Sequence, residues 1–188
     1  MNIRWHGALC VLAFALPAGS SCAEDVIACK VDDPTNCKRA SEWAAEAAAK
    51  DAEDRKFAAA LPFDYRDLVA ALVVEFIRTS SFPGKDHQYF VGVFGEDLDS
   101  ALAAKLHASG INALPASARK VPGENEHPVH ASPLISIGVG DIKQIDADTF
   151  TIRLGYHCGS LCAGSTQYTM RRVDGEWRVV DRQQDWVA

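Results

Sequence analysis

The stretch Thr149-Phe-Thr-Ile-Arg-Leu-Gly-Tyr-His-Cys158 decides the fold, because apolar and polar side chains alternate along it. Phe150, Ile152 and Leu154 fall on one face of an extended chain. The threonines and Arg153 fall on the other face. The pattern predicts a half-buried β-strand with one face packed against a core.

Further strands on either side of this one predict an antiparallel meander. Aromatic and β-branched runs place its four strands over residues 134–145, 149–158, 165–173 and 176–186. Asp174-Gly175 separates the last two strands and is a strong hairpin signal, because glycine tolerates positive φ. Gly138, Gly140 and Gly155 inside the strands indicate bulges or bends that curl the sheet.

Two helices are predicted ahead of the sheet. A stretch rich in Ala, Glu, Lys and Arg predicts an exposed helix over 41–61, with Ser41 as its cap. Pro62 interrupts the chain, and Asp64 opens a second helix that runs to about Thr79. The apolar residues of this helix recur at helical spacing over about half of its circumference, which indicates deep packing. They are Leu68, Val69, Leu72, Val73, Phe76 and Ile77.

Strand and helix alternate between these helices and the meander. Residues 88–94 predict a strand, and residues 96–109 predict a third helix that stops at Gly110. We expect a short edge strand within 111–118 and a long loop over 119–133. The prediction is an α+β fold in which N-terminal helices pack on a curved, cone-like antiparallel sheet that ends in the four-strand meander.

The chain begins with the pattern of a secretory signal peptide. Arg4 precedes the apolar run Ala8–Leu16, and the small residues Ser21 and Ala23 fit a cleavage site after residue 23. The run is about half of the ~20 residues that a membrane-spanning helix needs. We therefore expect export to the periplasm and removal of residues 1–23.

A competing interpretation makes Cys22 the lipidated first residue of an outer-membrane lipoprotein. Small residues precede this cysteine in Gly19-Ser20-Ser21-Cys22, but Gly19 occupies the position where an aliphatic residue is usual. Lipidation would tether the protein to a membrane through a lipid anchor.

Removal of residues 1–23 leaves a chain of one domain's size. We expect residues 24–40 to form an N-terminal disulfide loop and residues 41–188 to form a single α+β domain. The formal net charge of −6 becomes −7 after cleavage, because Arg4 is the only charged side chain removed. This acidic balance argues against nucleic acid and anionic lipid as partners, and no later segment predicts a membrane span.

Four cysteines remain after cleavage, and an even number in an oxidising compartment predicts two disulfides. Three connectivities are possible. We favour Cys29 with Cys37 and Cys158 with Cys162, because the members of each pair are close in sequence and flank a turn-like stretch. Disulfides that close such small loops stabilise a fold by about 2–3 kcal/mol each.

Two segments carry a resemblance to known proteins. The ending Tyr168-Thr-Met-Arg-Arg-Val-Asp-Gly-Glu-Trp177-Arg-Val resembles the closing hairpin of the nuclear transport factor two-like superfamily, and the order of elements is similar. Gly155–Tyr168 is similar to a pattern found in uncharacterised exported bacterial proteins. The resemblance implies a curved sheet wrapped around a helix, often with a pocket. Its enzymes use a pocket His and Asp pair that has no match here, and the fold also hosts binders and structural parts.

Two clusters are candidates for metal binding. His157-Cys158 with Cys162 could form a metal site or a thiol nucleophile with its base, although the spacing favours a loop disulfide. The loop that carries His127 and His130, with Glu124 and Glu126, could hold zinc or copper, and a solvated loop is the simpler interpretation.

Glu75 is the candidate acid or base of a pocket, because it lies on the flank of the buried second helix. The simpler alternative is a rim charge paired with Arg78 or Arg153. Ser160 and Ser165 lack a Gly-x-Ser-x-Gly elbow, and nothing in the sequence indicates a cofactor.

These observations favour a non-enzymatic periplasmic module that binds a protein or a small ligand. A specific version is an immunity protein that blocks a toxin in the periplasm. One alternative is a small isomerase or hydrolase that works through Glu75, His157 or Tyr156. The other is a structural envelope component lipidated at Cys22.

Overall fold

The computed structural model describes residues 27–29, 37–80, 88–119, 134–159 and 162–187. Several predicted features lie outside these residues. They are the signal peptide, Cys22, Ser160 and the loop with Glu124, Glu126, His127 and His130. No helix of the described part has the length and apolar character needed to cross a membrane.

The chain divides into two compact units, residues 1–49 and 50–188. In the first unit, β1 (Ile27–Cys29) pairs antiparallel with β2 (Cys37–Arg39). The register places Cys29 directly opposite Cys37. The side chains of these two cysteines lie outside the described part, so their disulfide stays a prediction.

The described part of the N-terminal half contains three α-helices, namely α1 (Ala40–Ala59), α2 (Tyr65–Thr79) and α3 (Ser100–Ala108). Helix α1 begins one residue earlier than predicted, so Ser41 lies inside the first turn and is not its cap. The side chain of Asp64 caps α2 as predicted and accepts a hydrogen bond from the Arg66 backbone N–H at 3.1 Å.

The predicted third helix over 96–109 is wrong at its N-terminal end. Residues Glu96–Asp97 form a short strand, β4, that pairs with the end of the preceding strand. Helix α3 starts only after Asp99, whose side chain accepts the Leu102 N–H at 2.8 Å. The acceptor side chain fixes the helix start at Asp99, which helical spacing alone did not reveal.

Six more strands complete a seven-stranded sheet with β4. They are β3 (Tyr89–Val93), β5 (Ala113–Pro115), β6 (Ile135–Asp146), β7 (Thr149–Gly159), β8 (Cys162–Val173) and β9 (Glu176–Val187). The order is β4-β3-β6-β7-β8-β9, with β5 also paired to β3. Residues Ala116–Ala118 after β5 form a 3-10 turn and are not part of the predicted edge strand.

The predicted α+β class and the C-terminal meander are confirmed. Strands β6 to β9 pair antiparallel with their neighbours in chain order. The sheet as a whole is mixed, because β3 pairs parallel with both β5 and β6. The structure differs from the predicted antiparallel sheet in these two pairings of β3. The parallel pairing of β3 with β6 is possible because helix α3 and strand β5 lie between them in the chain and provide a crossover connection.

Apolar side chains from the helices and from one face of the sheet form the core. Phe150, Ile152 and Leu154 are all fully buried, as their alternation predicted. The Phe63 ring, in the link between α1 and α2, packs at 5.5 Å from Phe150 and 4.9 Å from Trp177. This aromatic cluster holds the helices on the sheet.

Candidate functional site

The meander presents two faces. The helix face carries Phe150, Ile152 and Leu154 and is covered by helices. The outer face carries the alternating residues Thr151, Arg153 and His157. Among the described residues, no helix packs against the polar outer face, so this is the side of the sheet that we consider for recognition.

Two paired glycines leave the outer face bare at its centre. Gly138 on β6 lies directly opposite Gly155 on β7, between regular pairs on either side. A Cβ added to Gly138 would meet no described atom within 4 Å, and one added to Gly155 would meet only the Gly164 carbonyl oxygen at 3.7 Å. We call this exposed stretch of backbone the glycine floor.

The three strand glycines differ in what they do. A register shift follows Gly140, so the predicted bulge is present there. Asp141, within that bulge, has φ of 57°. Gly138 and Gly155 lie in regular register, so a bulge does not explain them. Glycine inside a regular strand costs conformational entropy and can mark a close approach by another molecule.

A basic and polar cluster borders the glycine floor on one side. The Arg119 Nη1 atom donates to Ser136 Oγ at 2.8 Å and lies 3.3 Å from His157 Nδ1. Ser136 and His157 are cross-strand partners, two residues along from Gly138 and Gly155. Arg119 Nε is buried and has no hydrogen-bond partner in the described part of the chain.

A paired arginine borders the glycine floor on its other side. Arg153 lies opposite Gly140 and is ion-paired with Asp141 through Nη1. Its Nε donates to Asp185 Oδ2 at 2.9 Å, and Ser165 Oγ donates to the same oxygen at 3.0 Å. Arg153 is thus paired with two carboxylates, whereas the described partners of Arg119 are the neutral Ser136 hydroxyl and the His157 ring.

An ionic network attaches α1 to the sheet where β3 ends. Asp54 is 3% exposed and accepts from Lys50 Nζ at 2.6 Å. Its other oxygen accepts the backbone N–H of Asp141 at 2.6 Å. Lys50 also lies 3.1 Å from Asp141 Oδ1. Because β3 pairs with β6 only as far as Val139, the Asp54 carboxylate supplies the acceptor that a longer neighbouring strand would have supplied.

Asp51 lies beside this network. Burial, and then the charge of Asp54, raises the pKa of the Asp51 carboxyl, although Arg55 and Lys50 oppose the shift. The carboxyl group packs against the backbone of Gly95, where an added Cβ would lie 2.5 Å from Asp51 Oδ2. The described residues contain no group of three or more side chains suited to hold a metal ion.

Two of the three candidate catalytic residues, Glu75 and Tyr156, influence the same buried tyrosine, Tyr168. Burial raises the pKa of Tyr168; the Thr166 hydrogen bond and the charge of Arg182 lower it, and Glu75 and Tyr156 make smaller contributions that raise it. Glu75 is bonded to Arg78, with Nη2 at 2.5 Å and Nε at 3.0 Å from one carboxylate oxygen. Arg78 is one of the two arginines expected for a rim charge.

His157 does not join Glu75 and Tyr156. Neighbouring residues of a strand point to opposite faces, so His157 lies on the outer face while the Tyr156 ring packs 5.4 Å from Phe76 of α2. Tyr156 also lies over Gly164, where an added Cβ would come within 2.7 Å of its ring.

A disulfide joins Cys158 and Cys162, with Cα atoms 5.1 Å apart. It closes the β7–β8 turn, as the local pairing predicted. The bonded sulfurs are therefore unavailable as metal ligands or as a thiol nucleophile.

Two contributors to these sites were missed at the sequence level. Arg119 lies at the start of the predicted loop, and no local pattern links it to Ser136 or His157. Asp54 is one of several acids in the alanine-rich helix, and its burial depends on the bulge at Asp141. Comparison with protein-family models, with curated proteins and with solved structures finds no match.

Proposed function

We propose that the chain is a non-enzymatic, exported module that binds a protein or small ligand on the outer face of its sheet. The observation that carries the proposal is the glycine floor, an open stretch of backbone between Arg119 and Arg153. The signal-peptide pattern of residues 1–23 supports a periplasmic location.

The filling of the helix face supports binding on the outer face. Phe150, Ile152, Leu154 and Met170 on this face are all fully buried. The rings of Phe57 and Phe63 pack on Phe150 from the helix side. Such close packing uses the helix face for stability and leaves the other face for recognition.

The edge of the sheet is less suited to recognition than the face. Strand β9 is a long edge strand, but two register shifts interrupt its pairing with β8. Val180 and Asp185 are the extra residues at these shifts. Bulges and charges on an edge strand disfavour pairing with a strand of another chain.

The specific version that we propose is an immunity protein that blocks a periplasmic toxin. The net charge of −6 supports this version through long-range attraction to a basic enzyme, whereas Arg119 on the outer face would contact an acidic group of that enzyme. We also propose that the fold belongs to the nuclear transport factor two-like group, since helices precede a sheet that ends in a long meander.

A small pocket enzyme is the second candidate, and the electrostatic influence of both Glu75 and Tyr156 on Tyr168 favours it. The ion pair between Glu75 and Arg78 weighs against a free carboxylate acid or base. Glu75→Gln and Tyr156→Phe separate the candidates, because neither substitution touches the outer face. A lipidated envelope component remains the third candidate, and intact-mass measurement tests for an acyl group on Cys22.

Capture from periplasmic extract tests the proposed function. The tagged, exported protein should retain one partner in a stoichiometric amount. Gly138→Leu places a side chain on the glycine floor, where the structure has room for it, and should abolish retention. Ala59→Leu adds the same side chain at an exposed position of α1 and is the matched control. Repeated capture of nothing, or equal capture by Gly138→Leu, contradicts the proposal.

A further inference from the structure

We propose that Arg119, Ser136 and His157 form a subsite that binds a carboxylate group of the ligand. The inference rests on the proposed function, because the subsite adjoins the glycine floor. It concerns the chemistry of the ligand, which the floor alone does not specify.

Arg119 has no acidic partner among the described residues. Its partners among the described residues are the Ser136 hydroxyl and the His157 imidazole, and no carboxylate is among them. The Nε atom is buried and unpartnered, so the guanidinium is held partly out of water. Arginine in such surroundings is ordinarily balanced by an acidic group. A bound anion would provide that balance.

The cluster presents hydrogen-bond donors. Arginine has no acceptor atoms, so in its contact with Nη1 the His157 Nδ1 atom must accept. Ser136 Oγ accepts from Arg119 and keeps its own proton for donation. The Arg119 guanidinium and the Ser136 hydroxyl therefore offer donors to an anionic oxygen acceptor, and the His157 Nδ1 contact holds the guanidinium in position.

Carboxylate is the anion that this cluster fits best. The planar guanidinium matches the two oxygens of a carboxylate, and a single arginine offers limited neutralisation for a doubly charged phosphate. The cross-strand pair Ser136–His157 lies two residues from the pair Gly138–Gly155, a separation of about 7 Å along the strands. A ligand whose carboxylate meets Arg119 would therefore lay its remaining atoms over the glycine floor.

Titration with small anions tests the subsite. The exported protein, labelled with 15N and with its disulfides intact, is titrated with succinate, with neutral succinamide and with inorganic phosphate. Succinate should cause saturating shifts of the Ser136, Gly138 and His157 amide signals. Succinamide should cause none, and phosphate should bind several-fold more weakly.

Substitutions assign the binding to these residues. Arg119→Gln should weaken succinate binding at least tenfold. His157→Gln, at an exposed position where folding is insensitive, should weaken it about threefold. Arg178→Gln removes an exposed outer-face arginine of β9 that pairs with Glu176 and should leave the affinity unchanged.

Each outcome bears on the inference. Unchanged succinate affinity in Arg119→Gln and His157→Gln overturns it, and equal affinity for phosphate overturns the assignment to carboxylate. If the carboxylate subsite is overturned but a partner is captured and Gly138→Leu abolishes its capture, the proposed function still holds. Succinate binding at Arg119 without any captured partner would support the carboxylate subsite and contradict the proposed function. The failure of one proposal can therefore be distinguished from the failure of the other.

Discussion

Removal of the Asp54 carboxylate should cost a large share of the stability of this protein. Asp54→Ala deletes a buried group that accepts from both Lys50 Nζ and the Asp141 N–H. The backbone N–H of Asp141 then loses its acceptor beside the end of β3. In this variant the Lys50 ammonium still has an ion-pair partner, because Asp141 Oδ1 lies 3.1 Å from its Nζ atom.

The magnitude follows from these contacts. A hydrogen bond to a charged group contributes about 1.5–3 kcal/mol. The Lys50 contribution is discounted for solvent screening, because its side chain is 40% exposed. We therefore expect the free energy of unfolding to fall by about 2–3 kcal/mol. For a chain of this size, that corresponds to a drop in Tm of about 4–12 °C.

Urea and thermal unfolding of the purified protein measure this loss. Asp54→Asn keeps an oxygen acceptor for the Asp141 N–H and should lose about 1 kcal/mol. Glu53→Ala, at the exposed neighbouring position, should change stability by less than about 0.5 kcal/mol. The reasoning is refuted if Asp54→Ala is as stable as Glu53→Ala.

Two further predictions concern stability. Gly164→Ala should lower the free energy of unfolding by about 1–3 kcal/mol, because the added Cβ would overlap the Tyr156 ring. Gly138→Ala should change the free energy of unfolding by less than about 0.5 kcal/mol, because nothing described lies within 4 Å of its added Cβ. Equal effects of the two substitutions in urea unfolding would contradict this packing. Burial opposes ionisation of Asp99, but hydrogen bonds from the Leu102 N–H and from Arg66 hold its pKa below the ordinary value. The ionised Asp99 carboxylate therefore makes its full contribution to folding stability above the unfolded-state pKa of about 3.9. That contribution is lost as the pH falls through the lower pKa of the folded state. The stability advantage of wild type over Asp99→Asn should shrink over that acidic range, and a constant difference would contradict the assignment.

Periodicity predicted the parts of the fold that are governed by burial. The alternation in β7 placed Phe150, Ile152 and Leu154 in the core, and the spacing in α2 placed Leu68 and Leu72 there. Each of these residues is buried by the face on which its own element places it. Such information is local and can be read from a single sequence.

Tertiary contacts governed what the sequence did not reveal. The parallel pairing of β3 with β6 depends on which strands become neighbours in the sheet. The alternation of side chains within one strand does not indicate its neighbour or the direction of pairing. The Arg119 cluster joins residues 17 and 38 positions apart in the chain. His157 was noticed through its neighbour Cys158, yet its contact is with Arg119 on the opposite face from Tyr156.

The affinity of the purified partner for wild type and for Gly138→Leu tests the central claim most directly. Binding on the outer face predicts at least a tenfold weaker Kd for Gly138→Leu, with an unchanged Tm and with wild-type affinity in Glu75→Gln. Equal Kd values for wild type and Gly138→Leu would contradict recognition on the outer face.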